Sequence, residues 1–348
     1  MKGSTIICFS ICFWLGLSIS TLAETNLLDR LATAKAKLVK MQDVSSGVPF
    51  NEIQSNGKVV NALLTQIIDV SFTDQTYDRT DSFFMSVLKR SDIVQFVVPD
   101  VCVKKFIKTT ISSGERARLC NFMIQTLYEN RLTNTQNVCN AIKSILYLND
   151  YPEVYSPETR EIIKKLILEN RIHFFYADVL GIIKDKEIQA YLLPIANQEG
   201  RYKESGYYQT WLATCMLAKA GDKVARKRIE DEADNLSDLH KSMYIPLGMA
   251  YLGDRDMVLH LFEMLKSDLK KWNGEDVDPE ETQLSHEAAK VLSLCVRSFP
   301  RPSTSRAYTT QDKTMFLKWV EENKNTFVLE NKPPLYYLKN TRIGFLTK

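Results

Sequence analysis

The chain has 348 residues and a formal net charge of +3, from 45 Lys+Arg against 42 Asp+Glu. That balance is too small to point to a nucleic-acid partner or to an anionic membrane surface. Its 13 Gly and 11 Pro fall below typical usage of about 7% and 5%. They are too few for a turn-rich all-β protein or for the Gly-rich loops of a nucleotide-binding α/β enzyme, and they favour long helices joined by short connections.

The N-terminus reads as a secretory signal peptide. Lys2 supplies the positive n-region, and Ile6 to Leu17 forms an apolar h-region broken only by Ser10 and Gly16. Thr21-Leu22-Ala23 is a cleavage tripeptide with small residues at both ends. The apolar run is shorter than the roughly 20 residues of a membrane-spanning helix, so cleavage is expected over anchoring. Residues 1–23 would be removed, and the mature chain would start at Glu24 in the periplasm, the medium or at the cell surface. No later segment is long and apolar enough to span a bilayer, and no Cys follows the h-region as in a lipoprotein signal.

Cys8 and Cys12 leave with the signal. Cys102, Cys120, Cys139, Cys215 and Cys295 remain, an odd and sparse set that is no disulfide framework. Their apolar helical contexts mark them as small buried hydrophobes. One bridge among Cys102, Cys120 and Cys139 stays open, because neighbouring helices could bring two together in an oxidising compartment. Without Cys-x-x-Cys or a nearby His, metal binding is disfavoured.

Periodicity is helical almost everywhere. Leu27, Leu28, Leu31, Ala34, Leu38 and Met41 form one stripe, and Ser45 to Gly57 is expected to be a connection. Val59, Val60, Leu63, Leu64, Ile67 and Ile68 form a second stripe, and Phe83, Phe84, Val87 and Leu88 a short third helix. Ile93 to Val98 fits a strand or a buried helical turn. Helices are then expected over Val101–Ile111, Glu115–Asn130, Thr135–Leu148 and Pro157–Asn170, the last opened by Ser156 and Pro157.

From Ile172 to Lys270 the pattern repeats. Each copy is an apolar helix end, a tight turn, an Asp and a new amphipathic helix. The Asp residues are Asp185, Asp222 and Asp254, spaced 37 and 32 apart, and Gly221 and Gly253 precede two of them. Gly accepts the left-handed conformation that ends a helix, and Asp accepts hydrogen bonds from the next helix's first N–H groups. Helix pairs recurring at such a period mark an α-solenoid.

Ala220-Gly221-Asp222 and Leu252-Gly253-Asp254 resemble the turns of HEAT-type (armadillo-like) repeats, well over residues 172–270 and more loosely over 100–171. The first copy departs from the pattern, with Lys184 in place of Gly, so its helix must end differently. The resemblance implies an all-α stack of antiparallel helical hairpins that holds protein or peptide partners, and it transfers no catalytic residue. The expected organisation is a signal peptide (1–23), an N-terminal helical cap (24–99), HEAT-like repeats (100–299) and a C-terminal capping helix and tail (300–348). In the last segment Phe299 to Ser305 is a linker, Thr314 to Phe327 an amphipathic helix, and Leu335 to Leu338 a short extended tail packed back on the last repeat.

A search for chemistry finds little. His173, His240, His260 and His286 form no metal-binding pair, and there is no nucleophile elbow, phosphate loop or dinucleotide fingerprint. The acids from Gly274 to Glu281 lack the alternating ligands and central Gly of a calcium loop and read as a solvated loop leading into a helix. Lys223, Arg226, Lys227 and Arg228 are balanced by Glu230, Asp231 and Glu232, a solvated helix face. Asn235-Leu236-Ser237 is a single glycosylation tripeptide. The candidate binding residues are therefore aromatic: Tyr202, Tyr207, Tyr208 and Trp211 crowd one segment and Tyr244 and Tyr251 sit in the next helix, and some of the tyrosines would line a concave face if the inner helix row runs through 207–219 and 240–252.

The expectation is an exported, non-catalytic helical-repeat scaffold with no cofactor and no metal, binding a protein or peptide. The alternative is a secreted α/α-toroid hydrolase or lyase acting on polysaccharide. Against it, only Trp211, Trp272 and Trp319 survive cleavage, and no carboxylate pair stands out for acid–base work.

Overall fold

The structure, a computed structural model, describes residues 26–43, 47–73, 83–108, 112–130, 135–149, 151–198, 206–234, 244–267, 270–272, 281–303, 309–330 and 332–334. The expected signal peptide, Tyr202, Asn235, His240, most of the acidic loop and the expected tail at Leu335–Leu338 lie outside these residues. The fold is all-α and solenoid-like, each helix packing on its neighbours in sequence, and the chain forms two compact units. One comprises residues 1–149 and 154–162, the other 150–153 and 163–348.

In the first unit α1 (26–43) buries Leu28, Leu31 and Leu38, the stripe its spacing predicts. Helix α2 (Phe50–Thr73) begins inside the expected connection. The Pro49 carbonyl accepts its first bonds, from the N–H groups of Glu52 and Ile53, and a single Gly57 costs about 1 kcal/mol without ending a helix. No residue from Phe50 to Val59 is buried, whereas Val60, Leu63, Ile67 and Ile68 are.

Helix α3 (Phe83–Lys89) follows as expected. The run from Ile93 to Val98 is helical, continuing through Pro99 into the next segment as α4 (Val94–Lys108). Pro99 removes one helical bond, but Val94, Val97, Val98, Val101 and Cys102 are all buried around it, so packing holds both halves in one helix. Helix α5 (Ser113–Glu129) opens on a capping box between Ser112 and Glu115, and α6 (Thr135–Leu148) has the expected bounds. Helix α2 packs on α4, α4 on α6, α5 on α6, and α3 on both α4 and α5. Helix α7 (Pro157–Leu168), whose Thr159 N–H donates to the Ser156 hydroxyl, passes from one unit into the other.

The second unit contains α8 (Tyr176–Val179), α9 (Lys186–Ala196), α10 (Gly206–Ala220), α11 (Lys223–Asp234), α12 (Tyr244–Leu252), α13 (Arg255–Met264), α14 (Leu284–Cys295) and α15 (Thr310–Asn323). Helix α10 packs on α9, α11 and α12, while α12 packs on α11, α13 and α14. Helices α10, α12 and α14 thus stack in one row, backed by α9, α11 and α13. Strands β1 (Lys270–Trp272) and β2 (Glu281–Gln283) pair antiparallel just before α14. The described end of the acidic loop, Glu281, is therefore strand, opposite Trp272.

The repeat turns have the chemistry their residues imply. Gly221 and Gly253 lie at φ +107° and +66°. Asp222 Oδ1 accepts from the N–H groups of Val224 and Ala225 at 2.9 Å, and Asp254 Oδ1 from Met257 at 3.0 Å. The divergent first copy ends its helix earlier, on Gly181 at φ +68°, after which Asp185 caps α9. No atom lies within 4 Å of a Cβ added at Gly221, and the nearest at Gly253 is 3.6 Å away. Alanine at either position therefore meets only the left-handed backbone. Each substitution is expected to cost about 1 kcal/mol in urea denaturation, and a neutral result at both would show that the turns can relax.

Cations link successive backing helices. Lys164 on α7 pairs with Asp185 at 2.9 Å and with Glu187. Arg226 on α11 pairs with Asp254 at 2.6 Å and reaches Asp256 at 3.6 Å, while Arg228 donates to the Ala196 carbonyl at the end of α9.

Helix α15 closes the chain, four residues earlier than predicted, on a capping box between Thr309 and Asp312. The buried Asp312 carboxylate also accepts from the Ser303 N–H and hydroxyl, fixing the linker. Phe316 and Trp319 pack on Phe299, and Trp319 and Phe327 on Phe262. Leu329 bridges to Val296, so residues just before the expected tail turn back on the end of α14. Burial alone would push the Asp312 carboxyl up, but the hydrogen bonds from Thr309 and Ser303 outweigh it and hold it below the ordinary range. A depressed folded value gives stability that is complete above the unfolded value near 4 and lost as pH falls through the folded one. Asp312→Asn is expected to lower stability at neutral pH and to flatten this acid limb. An unchanged slope in denaturation midpoints from pH 6 to pH 2 would rule that role out.

Candidate functional site

Helices α10 and α12 carry five of the six aromatic candidates, and the sixth, Tyr202, precedes α10 in sequence. Their sequences, with Thr210 to Ala218 and Ile245 to Tyr251, have almost no polar stripe, and a helix apolar on all sides is buried on all sides. Every residue of these two stretches is buried. Trp211 is interior, and its indole N–H donates to the Tyr244 carbonyl at 2.9 Å. Tyr251 is interior as well. Tyr244 is half-buried, and burial raises its phenol above the ordinary value. Tyr207 and Tyr208 lie on the first turn of α10, and their side chains are outside the described residues. The structure thus brings Trp211 and Tyr244 together through one hydrogen bond and sends Tyr251 to the far end of α12.

Close packing explains the row. Gly248 faces Trp211 and Cys215 across the α10–α12 contact, and a Cβ there would lie 2.6 Å from the indole nitrogen and 2.7 Å from the thiol sulfur. The absence of a side chain at Gly248 lets the two backbones approach.

At the C-terminal ends of α10 and α12 lies a polar cluster that sequence reasoning passed over. Asp178 of α8 is buried, and its Oδ2 accepts from Lys219 Nζ at 3.0 Å and from the Tyr251 hydroxyl at 2.7 Å. The Lys219 ammonium also sits 4.1 Å from the centre of the Tyr251 ring, and Phe175 packs against the same ring at 5.8 Å. The Lys219 side chain keeps 29% of its surface exposed, so the cluster reaches solvent through the ammonium. The signal was available in the sequence: Asp178 is the lone charge in the apolar run Phe174 to Leu180, and Lys219 the lone charge of α10.

The backing helices present the solvent-facing side of the unit. Each exposes one large apolar side chain: Leu193 on α9, Val224 on α11 at 81% exposure, and Leu259 on α13. Lys223 and Lys227 are exposed beside Val224.

The remaining candidates have local roles. His173 Nδ1 accepts from the Phe175 N–H, and its ring stacks on Phe174. His260 lies 3.9 Å from Asp234, and His286 is buried in α14. Cys102, Cys120, Cys139, Cys215 and Cys295 are all buried thiols. Burial pushes Cys102 well above the ordinary value and Cys120 and Cys295 up to about 12. Among the described residues no three His, Cys, Asp or Glu side chains group as a metal site, and no helix is long and apolar enough to cross a membrane. No protein-family model, curated protein or solved structure matches this chain.

Proposed function

We propose that the chain is an exported, non-catalytic HEAT-like scaffold that holds a protein or peptide partner. The observation that supports this best is the pair of matched turns, Gly221-Asp222 and Gly253-Asp254, each joining a buried helix of one row to a solvent-facing helix of the other. Such units stack into extended surfaces. The buried carboxylates among the described residues, Asp178 and Asp312, favour this reading over the polysaccharide enzyme. Asp178 is tied to Lys219 and Tyr251, and Asp312 to the cap of α15. A catalytic acid needs a carboxyl poised near the working pH.

Because α10 and α12 have no open face over their buried stretches, the partner surface is assigned to α9, α11 and α13. The test is affinity capture of the tagged chain from the native medium or envelope. A partner retained by wild type should bind about tenfold or more weakly to Val224→Asp, while the thermal unfolding of that variant stays unchanged because Val224 is exposed. Retention of nothing specific, or equal retention by both proteins, would count against the scaffold and its surface respectively.

A further inference from the structure

We propose that Cys102 and Cys120 are the two halves of an internal disulfide that closes as the first unit folds in an oxidising compartment. Cys102 lies on α4 and Cys120 on α5, and both are fully buried. Cys102 Sγ sits 3.5 Å from Met123 Sδ. Met123 is three residues beyond Cys120, so the two share one face of α5, and both are fully buried. The Cys102 thiol is thus held against the turn of α5 that carries Cys120. Charge on Cys120 also disfavours charge on Cys102, in keeping with that proximity.

Asn149 Nδ2 donates to Cys120 Sγ at 3.4 Å in the folded chain. Before docking, the Cys120 thiolate attacks a disulfide oxidant, either glutathione disulfide or the active disulfide of a thiol oxidase. One thiol leaves and a mixed disulfide forms on Cys120. Cys102 then loses its proton to solvent and attacks Cys120 Sγ, displacing the second thiol. The same steps with the two cysteines exchanged give the same bond. Cys102 and Cys120 together lose two protons and two electrons, and the oxidant becomes two thiols. Because both sulfurs are buried once the helices dock, exchange takes place before docking is complete, and docking then shields the bond. The inference rests on the export half of the proposed function and not on partner binding.

The test unfolds and reduces the full chain, refolds it in glutathione and glutathione disulfide, blocks thiols with N-ethylmaleimide and digests with trypsin. Cleavage places Cys102 in Ser91–Lys104, Cys120 in Leu119–Arg131 and Cys139 in Leu132–Lys143. The expected result is a linked pair of the first two peptides that separates on reduction. Cys139→Ser should keep the link. Cys120→Ser should abolish it and release Ser91–Lys104 in alkylated form. A chain that fails to refold is instead exported to a bacterial periplasm and alkylated at harvest. Alkylation of both peptides when the refolded wild-type chain is denatured in N-ethylmaleimide, or a link from Cys102 to Leu132–Lys143, overturns the proposal.

Discussion

Gly248→Ala is expected to destabilise the second unit by about 3 kcal/mol. The added methyl carbon would stand 2.6 Å from Trp211 Nε1, 2.7 Å from Cys215 Sγ and 3.0 Å from Trp211 Cε2. None of these atoms can move aside cheaply. The indole is buried and anchored to the Tyr244 carbonyl, and Cys215 is buried in the same helix. Relief requires either parting α10 from α12 or breaking the indole hydrogen bond, and a close-packed interior resists both. Urea denaturation measures the loss, and a value below about 1 kcal/mol would mean that the helices separate easily. Because the clash involves two residues of one helix, a double-mutant cycle is informative. Trp211→Phe removes the indole nitrogen, so the Gly248→Ala penalty should shrink in that background.

That contact also shows where the sequence was readable. The Gly-Asp turns could be read because left-handed glycine and a capping carboxylate are local requirements, met within a few residues. Helices α3, α5, α6 and α7 could be read from their 3.6-residue stripes, with α4 the ambiguous case. Its six-residue apolar run looks alike as strand or buried helix, and the packing of Val97, Val98 and Val101 decides it. The start of α2 was hidden because Gly57 looks like a breaker when read alone. The aromatic candidates were harder. Tyr and Trp serve as binding anchors and as core residues with equal ease, and the decision depends on what covers the helix. The deciding clue was the missing polar stripe of α10 and α12, which leaves Trp211 and Tyr251 no solvent side. Asp178 and Lys219 lie 41 residues apart, so their pairing exists only once α8 and α10 are folded together.

Asp178→Ala is expected to cost about 2 to 3 kcal/mol. The carboxylate is buried and accepts from both Lys219 and Tyr251 through one oxygen. Removing it strips the Tyr251 hydroxyl of that acceptor and leaves the Lys219 charge over an aromatic ring without its counterion. Breaking a fully buried pair costs roughly 3 to 5 kcal/mol, but the Lys219 side chain is 29% exposed, so its ammonium can turn towards water and lower the loss. Asp178→Asn keeps an oxygen for Tyr251 while losing the ion pair, and should fall between wild type and the alanine variant in urea denaturation. The double variant Asp178→Leu, Lys219→Met separates two explanations for this buried charge. Well-packed apolar residues often match or exceed a buried ion pair in stability, so the double variant should recover most of what Asp178→Ala loses. If recovery is complete and partner capture is unchanged, the cluster only sets the register of α8 against α10 and α12. If stability returns but capture fails, the ammonium at the edge of the cluster takes part in binding, and the partner surface extends from the backing helices to the end of the buried row.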